Sequence, residues 1–341
     1  MRIYFGTNRK GKPAKNPRGF GIHFSEQGLT DLRFGWAEVP DPSKPDTFSL
    51  HVAPENLQVD PAKAAVGNLS GQVLGSQLVF DQLRQEMVEE KRDCLIFVHG
   101  FNVRFEEALA SCCRLSLELA TRPMSLFLFS WPSNGQMLPF VSYASDRHDA
   151  RASGPALGRG LQKLAHFLRG IAPENYCGQR LHLLAHSMGN YALRHALQQI
   201  RSSTGSNLRR LLDQIILFAA DEDADTFEHV HKLLHLPDMC RRVTVYHNPL
   251  DKALIASDLT KGNPDRLGAG GPRNSRQLPD KVTVVNCGEP LKKAGNPSEH
   301  SYYCGYPRVT EDLLAVLEGL DAGRFAGRHY HPETRSYHLI G

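Results

Sequence analysis

From residue 90 onward, short apolar runs alternate with amphipathic stretches, the pattern of a parallel sheet whose strands are joined by covering helices. Strands are predicted over residues 95–98, 125–129, 181–185, 214–219, 243–246 and 282–285. Between them Leu157, Leu161, Leu164 and Leu168 recur at helical spacing, with Arg159, Gln162, Lys163 and Arg169 largely on the opposite face. That spacing predicts a surface helix lying on the sheet. A last helix is predicted after Pro307, with Thr310 as N-cap, Glu311 and Asp312 in its first turn, and Leu313, Leu314, Val316 and Leu317 behind them.

Before residue 90 the pattern changes. Residues 2–5, 20–24 and 32–39 read as strands separated by Gly, Pro and Lys, with no long helix until about Ser76, so antiparallel strands added at the sheet edge are expected. Residues 256–280 and the tail beyond Gly323 are rich in Gly, Pro and Arg and carry no apolar period. The first is expected to be a loop that can serve as a flap, the second a mobile arm. The resulting division is residues 1–90 as added strands and connections, 91–323 as an α/β core, and 324–341 as a C-terminal arm.

Composition narrows the class. With 341 residues, 41% hydrophobic and 22% charged, the chain is close to an average soluble protein, which excludes disordered, collagenous and coiled-coil classes. A net charge of +4 is too small to call for nucleic acid, which needs a concentrated basic patch. No apolar run approaches the roughly 18 residues of a membrane span. The N-terminus places apolar residues before a basic stretch, the reverse of a secretory signal, and a cytoplasmic location is expected. Seven cysteines, odd in number and without metal-ligand spacing, read as reduced and largely buried thiols.

The chemistry centres on LHLLAHSMGNYALRHAL, residues 181–197, an apolar run, then Ala185-His186-Ser187-Met188-Gly189, then apolar residues at helical spacing. A strained strand–Ser–helix elbow needs small residues beside the Ser, usually as G-x-S-x-G; here Gly189 is kept and Ala185 substitutes. The plainer reading is that Ser187 caps the following helix. An activated Ser also needs a base and an orienting acid, in the chain order Ser, acid, His for this topology. Asp251 follows the strand at 243–246, and His300 lies in GNPSEHSYYCGY after the strand at 282–285. Both fall at strand C-terminal ends, where sites of open α/β sheets lie. Asp221 and Asp223, with Asp225, compete for the acid role. Backbone donors for a developing oxyanion are expected from Met188 and from Phe101 or Asn102 in the His99-Gly100 turn.

Taken together, FGTNR (5–9), FVHGFNVRFEEAL (97–109), FSWPSNG (129–135), LLAHSMGN (183–190), AADEDADTF (219–227), NPLDKAL (248–254) and EHSYY (299–303) resemble the α/β-hydrolase superfamily. They are most similar to its bacterial branch of hydrolase-like domains of unknown function. The resemblance runs from about Arg2 to Leu320 and implies a Ser/Asp/His hydrolase fold, a mostly parallel sheet with helices on both faces.

Other signals carry less. Residues 6–12 imitate a phosphate loop, but Pro13 stands where a Ser or Thr must hold Mg²⁺. DEDAD begins a calcium-loop spacing yet has Thr226 for Gly and Lys232 for Glu. His231 and His235 have i, i+4 spacing on an expected helix, without the Glu of a zinc protease. The basic residues Arg9, Lys10, Lys12, Lys15 and Arg18 read as a solvated loop. Trp131, Phe140 and Tyr143 are candidates for the substrate-pocket wall.

The residues thus read as a serine hydrolase cleaving small or soluble acyl esters or thioesters through an acyl-enzyme, with no cofactor or metal called for. A serine peptidase or amidase is a second enzyme reading. A non-catalytic binding or signalling scaffold on the same fold is a third.

Overall fold

A computed structural model describes residues 1–14, 16–29, 31–53, 75–133, 139–169, 171, 177–204, 210–259 and 265–341, without the side chains of 139–142, 204 and 257–259. In chain order the elements are β1 (Arg2–Thr7), β2 (Arg9–Gly11), β3 (Phe20–Phe24), β4 (Arg33–Glu38), β5 (Ser49–Ala53), α1 (Gly75–Glu89), β6 (Cys94–Val98), α2 (Phe105–Glu118), β7 (Ser125–Ser130) and α3 (Pro139–Arg169). They continue as β8 (Leu181–His186), α4 (Gly189–Thr204), β9 (Leu212–Phe218), β10 (Cys240–His247), α5 (Lys252–Leu259), α6 (Leu267–Gly270), β11 (Val282–Asn286), α7 (Gly288–Lys293), α8 (Pro307–Glu318), β12 (Arg328–His331) and β13 (Ser336–Leu339).

Among the described residues an eleven-stranded sheet runs in the order β12-β13-β11-β10-β9-β8-β6-β7-β1-β4-β5. Strands β6, β7 and β8 are buried along their whole length, which is why they read as unbroken apolar runs rather than alternating ones. One face packs under α1, α3 and α4 through Val79, Leu83, Leu157, Leu161 and Leu193. The other packs under α2 and α8 through Phe105, Leu109, Cys112, Leu313 and Val316. Each fully buried Leu or Phe contributes about 1.5–3 kcal/mol, so the two layers fix the sheet between them.

Several expectations are corrected. The expected antiparallel edge is present in β4 and β5, but β1 pairs parallel to β7, and β3 leaves the main sheet to form a separate hairpin with β2. The tail is not a free arm: β12 and β13 form a hairpin, and β13 pairs parallel to β11. Its anchor is Arg328, which donates to both carboxylate oxygens of buried Asp312 at 2.6 and 2.7 Å. Four-residue strands carry too little alternation to be read from sequence.

Helix α8 begins with Pro307 at its first position after Tyr306; Thr310 lies inside it and donates to Glu118 Oε2 at 2.8 Å instead of capping. Within 256–280, residues 265–271 do not form a flap. Leu267 and Gly268 are buried, and their amides donate to the carbonyls of Glu222 and Ala220. Residues 260–264 lie outside the described set. The segment carrying His231 and His235 forms turns rather than a helix. All seven cysteines are free, five of them buried. No helix among the described residues is long and apolar enough to cross a membrane.

Candidate active site

At the end of β8 the chain turns sharply, and Ser187 takes φ +52°, a left-handed conformation that costs a non-glycine residue energy. That is not the extended geometry of a helix N-cap. The turn is tied to β9: Ser187 N donates to Phe218 O at 3.0 Å, and Ser187 O accepts from Asp221 N at 3.2 Å. Asn190 Nδ2 adds bonds to Ala185 O and Ser187 O at 3.2 and 3.0 Å. A Cβ at Gly189 would stand 2.6 Å from the Val98 and His99 carbonyl oxygens, so this glycine is required by the close approach of β6. Ala185, by contrast, is fully buried in the sheet.

Asp251 follows β10 and is fully buried. Its Oδ1 accepts from the Ala253 and Leu254 amides at 3.0 and 3.1 Å, capping α5. Its Oδ2 lies 2.7 Å from His300 Nδ1. The carboxylate accepts, so Nδ1 carries the proton and Nε2 is left as the basic nitrogen. The loop bearing His300 is itself held: Asn248 Nδ2 donates to the Pro297 and Glu299 carbonyls at 3.0 and 3.1 Å, and His186 Nε2 donates to His300 O at 3.2 Å. Burial, followed by the neighbouring His300, lowers the pKa of His186 well below the usual value, so it is a neutral donor.

The competing acids are placed otherwise. Asp221 lines the same cavity, but its carboxylate bonds the Tyr143 hydroxyl and sits 3.6 Å from both Arg147 and Arg266. Asp223 pairs with Arg266 at 2.7 Å and Lys232 at 3.0 Å, and Asp225 with Lys232 and His229. These carboxylates serve an ion network on the flank of the elbow.

Opposite Ser187, β6 ends in His99-Gly100-Phe101-Asn102. A Cβ at Gly100 would lie 2.8 Å from Ser187 Cβ, so only a glycine lets this loop pass the elbow. Asn102 N is occupied, donating to Asp146 Oδ2 at 3.2 Å. That leaves Phe101 of the two expected loop donors; neither its amide nor that of Met188 has a protein partner among the described residues. The loop rests on His99. Its Nδ1 donates to Gly100 O at 2.9 Å, and its Nε2 accepts from Trp131 N at 3.2 Å. Burial and then Arg9 lower its pKa to about 3, keeping it neutral.

Arg9 was a solvated residue on sequence grounds, yet it is buried beneath this loop. It donates to Val103 O at 2.7 Å, Ser130 Oγ at 2.8 Å and Gly21 O at 3.1 Å. Its place in a basic run hid that role. Trp131 also belongs to the support and not to the pocket wall: it is fully buried, stacks on His99 with centroids 5.1 Å apart, and donates from Nε1 to His99 O at 2.9 Å. Tyr143 does line the cavity; the Phe140 side chain is outside the described residues.

Ser187, His300, Gly100, Phe101 and Asn102 face one cavity of 560 Å³, walled by Phe97, Val103, Ala110, Leu254 and Tyr303. No group of three or more His, Cys, Asp or Glu among the described residues is arranged to hold a metal. The mostly parallel sheet with helices on both faces, opened by a strand–Ser–helix elbow, is an α/β-hydrolase fold. The chain belongs to the family described as alpha/beta hydrolase of unknown function (DUF900), whose model matches residues 77–317. It is similar to the uncharacterized protein alr1448 of Nostoc sp. (strain PCC 7120), 29% identical over 149 residues, or 36% of this chain and 35% of that one. The chain thus spans about a third of the length of this curated relative. Among solved structures, Aspergillus fumigatus lipase B is similar with a TM-score of 0.40 at 10% identity, over 70% of this chain and 56% of that one. Legionella pneumophila phospholipase PlaB is similar with a TM-score of 0.26 at 14% identity, over 61% and 42%.

Proposed function

We propose that the protein is a serine hydrolase that cleaves carboxylic esters or thioesters of small acyl substrates. Ser187 Oγ attacks the carbonyl carbon as its proton passes to His300 Nε2; Asp251 fixes the imidazole and offsets the imidazolium charge. The Phe101 and Met188 amides face the oxyanion. The tetrahedral intermediate expels the alcohol or thiol, which takes the proton from His300, leaving an acyl-Ser187 ester. Water, deprotonated by His300, then releases the acid and regenerates Ser187.

The observation that carries this reading is the 2.7 Å bond from His300 Nδ1 to a fully buried Asp251, with His300 and a strained Ser187 lining one cavity. Strain of that kind persists where the surroundings over-determine it, as at reactive sites. The test is a fluorophosphonate probe together with a panel of chromogenic esters. Wild type should label and turn over, and Ser187→Ala should do neither, with turnover reduced on the order of 10⁶-fold. Equal turnover by the two proteins would remove Ser187 from the chemistry.

A further inference from the structure

The cavity at Ser187 is apolar over most of its wall, and the charged groups lining it are few. Glu107 is held by Arg104, which donates to it at 2.8 Å. Asp221 faces Arg147 and Arg266. His99 and His186 are neutral. Arg114 differs: no carboxylate among the described residues lies within 4.0 Å of it, although it borders both this cavity and the adjoining one.

Its natural neutraliser is absent for a structural reason. Glu118 stands at i+4, where an ion pair is ordinary on a helix face. Both Glu118 oxygens are instead taken, at 2.8 Å each, by the Gly305 amide and the Thr310 hydroxyl of the loop and helix that follow His300. Arg114 turns the other way and donates from Nη2 to Ser111 Oγ at 3.0 Å. Ser111 Oγ donates back to Glu107 O at 2.9 Å, and buried Tyr303 lines the same cavity. On one wall the Arg114 guanidinium and the Ser111 hydroxyl therefore meet, with Tyr303 also lining the cavity.

That wall is a single stripe of α2. Glu107, Ala110, Ser111 and Arg114 all line the cavity, at spacings of one and two helical turns. Arg114 lies about 10 Å along the helix axis from Glu107, which is beside the oxyanion loop. A planar guanidinium in this position matches the two oxygens of a carboxylate.

We propose that Arg114, with Ser111 and Tyr303, forms an anion subsite, and that the substrate class is esters bearing a carboxylate separated by an apolar spacer from the scissile bond. This rests on the serine-hydrolase reading above, and Arg114 is a specificity-determining residue within it.

The test compares half-esters of dicarboxylic acids, from succinate to sebacate, with neutral esters of matched length, in wild type, Arg114→Gln and Arg114→Lys. A second set carries the carboxylate on the alcohol. In one of the two sets, wild-type kcat/KM should favour the anionic member by about tenfold at low salt, mostly through KM, and less at high salt. The ratio should fall to near one in Arg114→Gln and be partly kept in Arg114→Lys. A ratio near one in wild type, or one unchanged in Arg114→Gln, overturns the subsite. Calorimetric binding of the same half-esters to Ser187→Ala, with and without Arg114→Gln, separates this from the chemistry. Binding that depends on Arg114 upholds the subsite whatever the turnover, and binding indifferent to Arg114 rejects it.

Discussion

His300 Nδ1 and Asp251 Oδ2 are 2.7 Å apart, while the other Asp251 oxygen caps α5. The Asp251 carboxylate is therefore held by helix amides on one oxygen and by the imidazole on the other. In the proposed triad, Asp251→Asn should lower kcat on the order of 10⁴-fold, because an amide facing Nδ1 favours the wrong tautomer. Asp223→Asn, which removes a partner of Arg266 and Lys232, should cost far less activity. Steady-state kinetics of the two variants decides between them, and the reverse ranking would move the acid to the ion network.

Gly100 lies where a Cβ would stand 2.8 Å from Ser187 Cβ. Gly100→Ala should push the Phe101 amide off its aim and lower kcat by about 10²–10³-fold, the usual loss of one oxyanion donor. Circular dichroism should be unchanged, since the site is a loop. Wild-type kcat in this variant would mean that the loop does not serve the oxyanion.

Three buried imidazoles make the fold sensitive to acid. His99 is lowered to about 3 by burial and Arg9, His247 to about 4 by burial, and His186 well below its usual value. Below about 6.5 the unfolded chain takes up protons that the native state refuses, so stability is full above that pH and falls as pH drops toward the folded values. His99 and His247 each account for about 2 kcal/mol of loss by about pH 5, and His186 acts in the same direction. Urea midpoints should fall between neutral pH and that point, and His247→Gln should give a shallower slope. An identical slope in the variant would dismiss His247 as a contributor.

The C-terminal hairpin hangs on Arg328 and Asp312, a buried pair that also takes the Tyr246 hydroxyl at 2.6 Å. Arg328→Leu strands a buried carboxylate and should destabilise the protein by about 3–5 kcal/mol, whereas Arg328→Met with Asp312→Leu should recover much of that. Denaturant midpoints measure both. A single variant as stable as wild type would show that the hairpin is not locked by this pair.

Features encoded by neighbouring residues are legible in the sequence. Strands β6, β7 and β8 are legible as nearly continuous apolar runs because they are buried along their whole length, β9, β10 and β11 by shorter apolar stretches, and the elbow because Ala185, Ser187 and Gly189 sit between such a run and a helical period. The hairpin of β12 and β13 was not legible, because its strands are short and its anchor is a pair sixteen residues apart, Arg328 with Asp312. Arg9 was misread for a related reason: a buried guanidinium looks like any other cation in a basic stretch until its acceptors, Val103 O, Gly21 O and Ser130 Oγ, are known.

Sequence alone determined the fold class, the order of the parallel strands along the chain, and the placing of Ser187, Asp251 and His300 at strand ends, since each rests on neighbours a few positions away. Only the tertiary structure showed that Asp251 meets His300 while Asp221 and Asp223 face cations, that the Asn102 amide is occupied, and that Trp131 lies beneath the cavity loop. Those placements depend on which polar atoms are already satisfied by partners far along the chain. Arg266 and Lys232 occupy Asp223, Asp146 occupies the Asn102 amide, and His99 occupies the indole of Trp131.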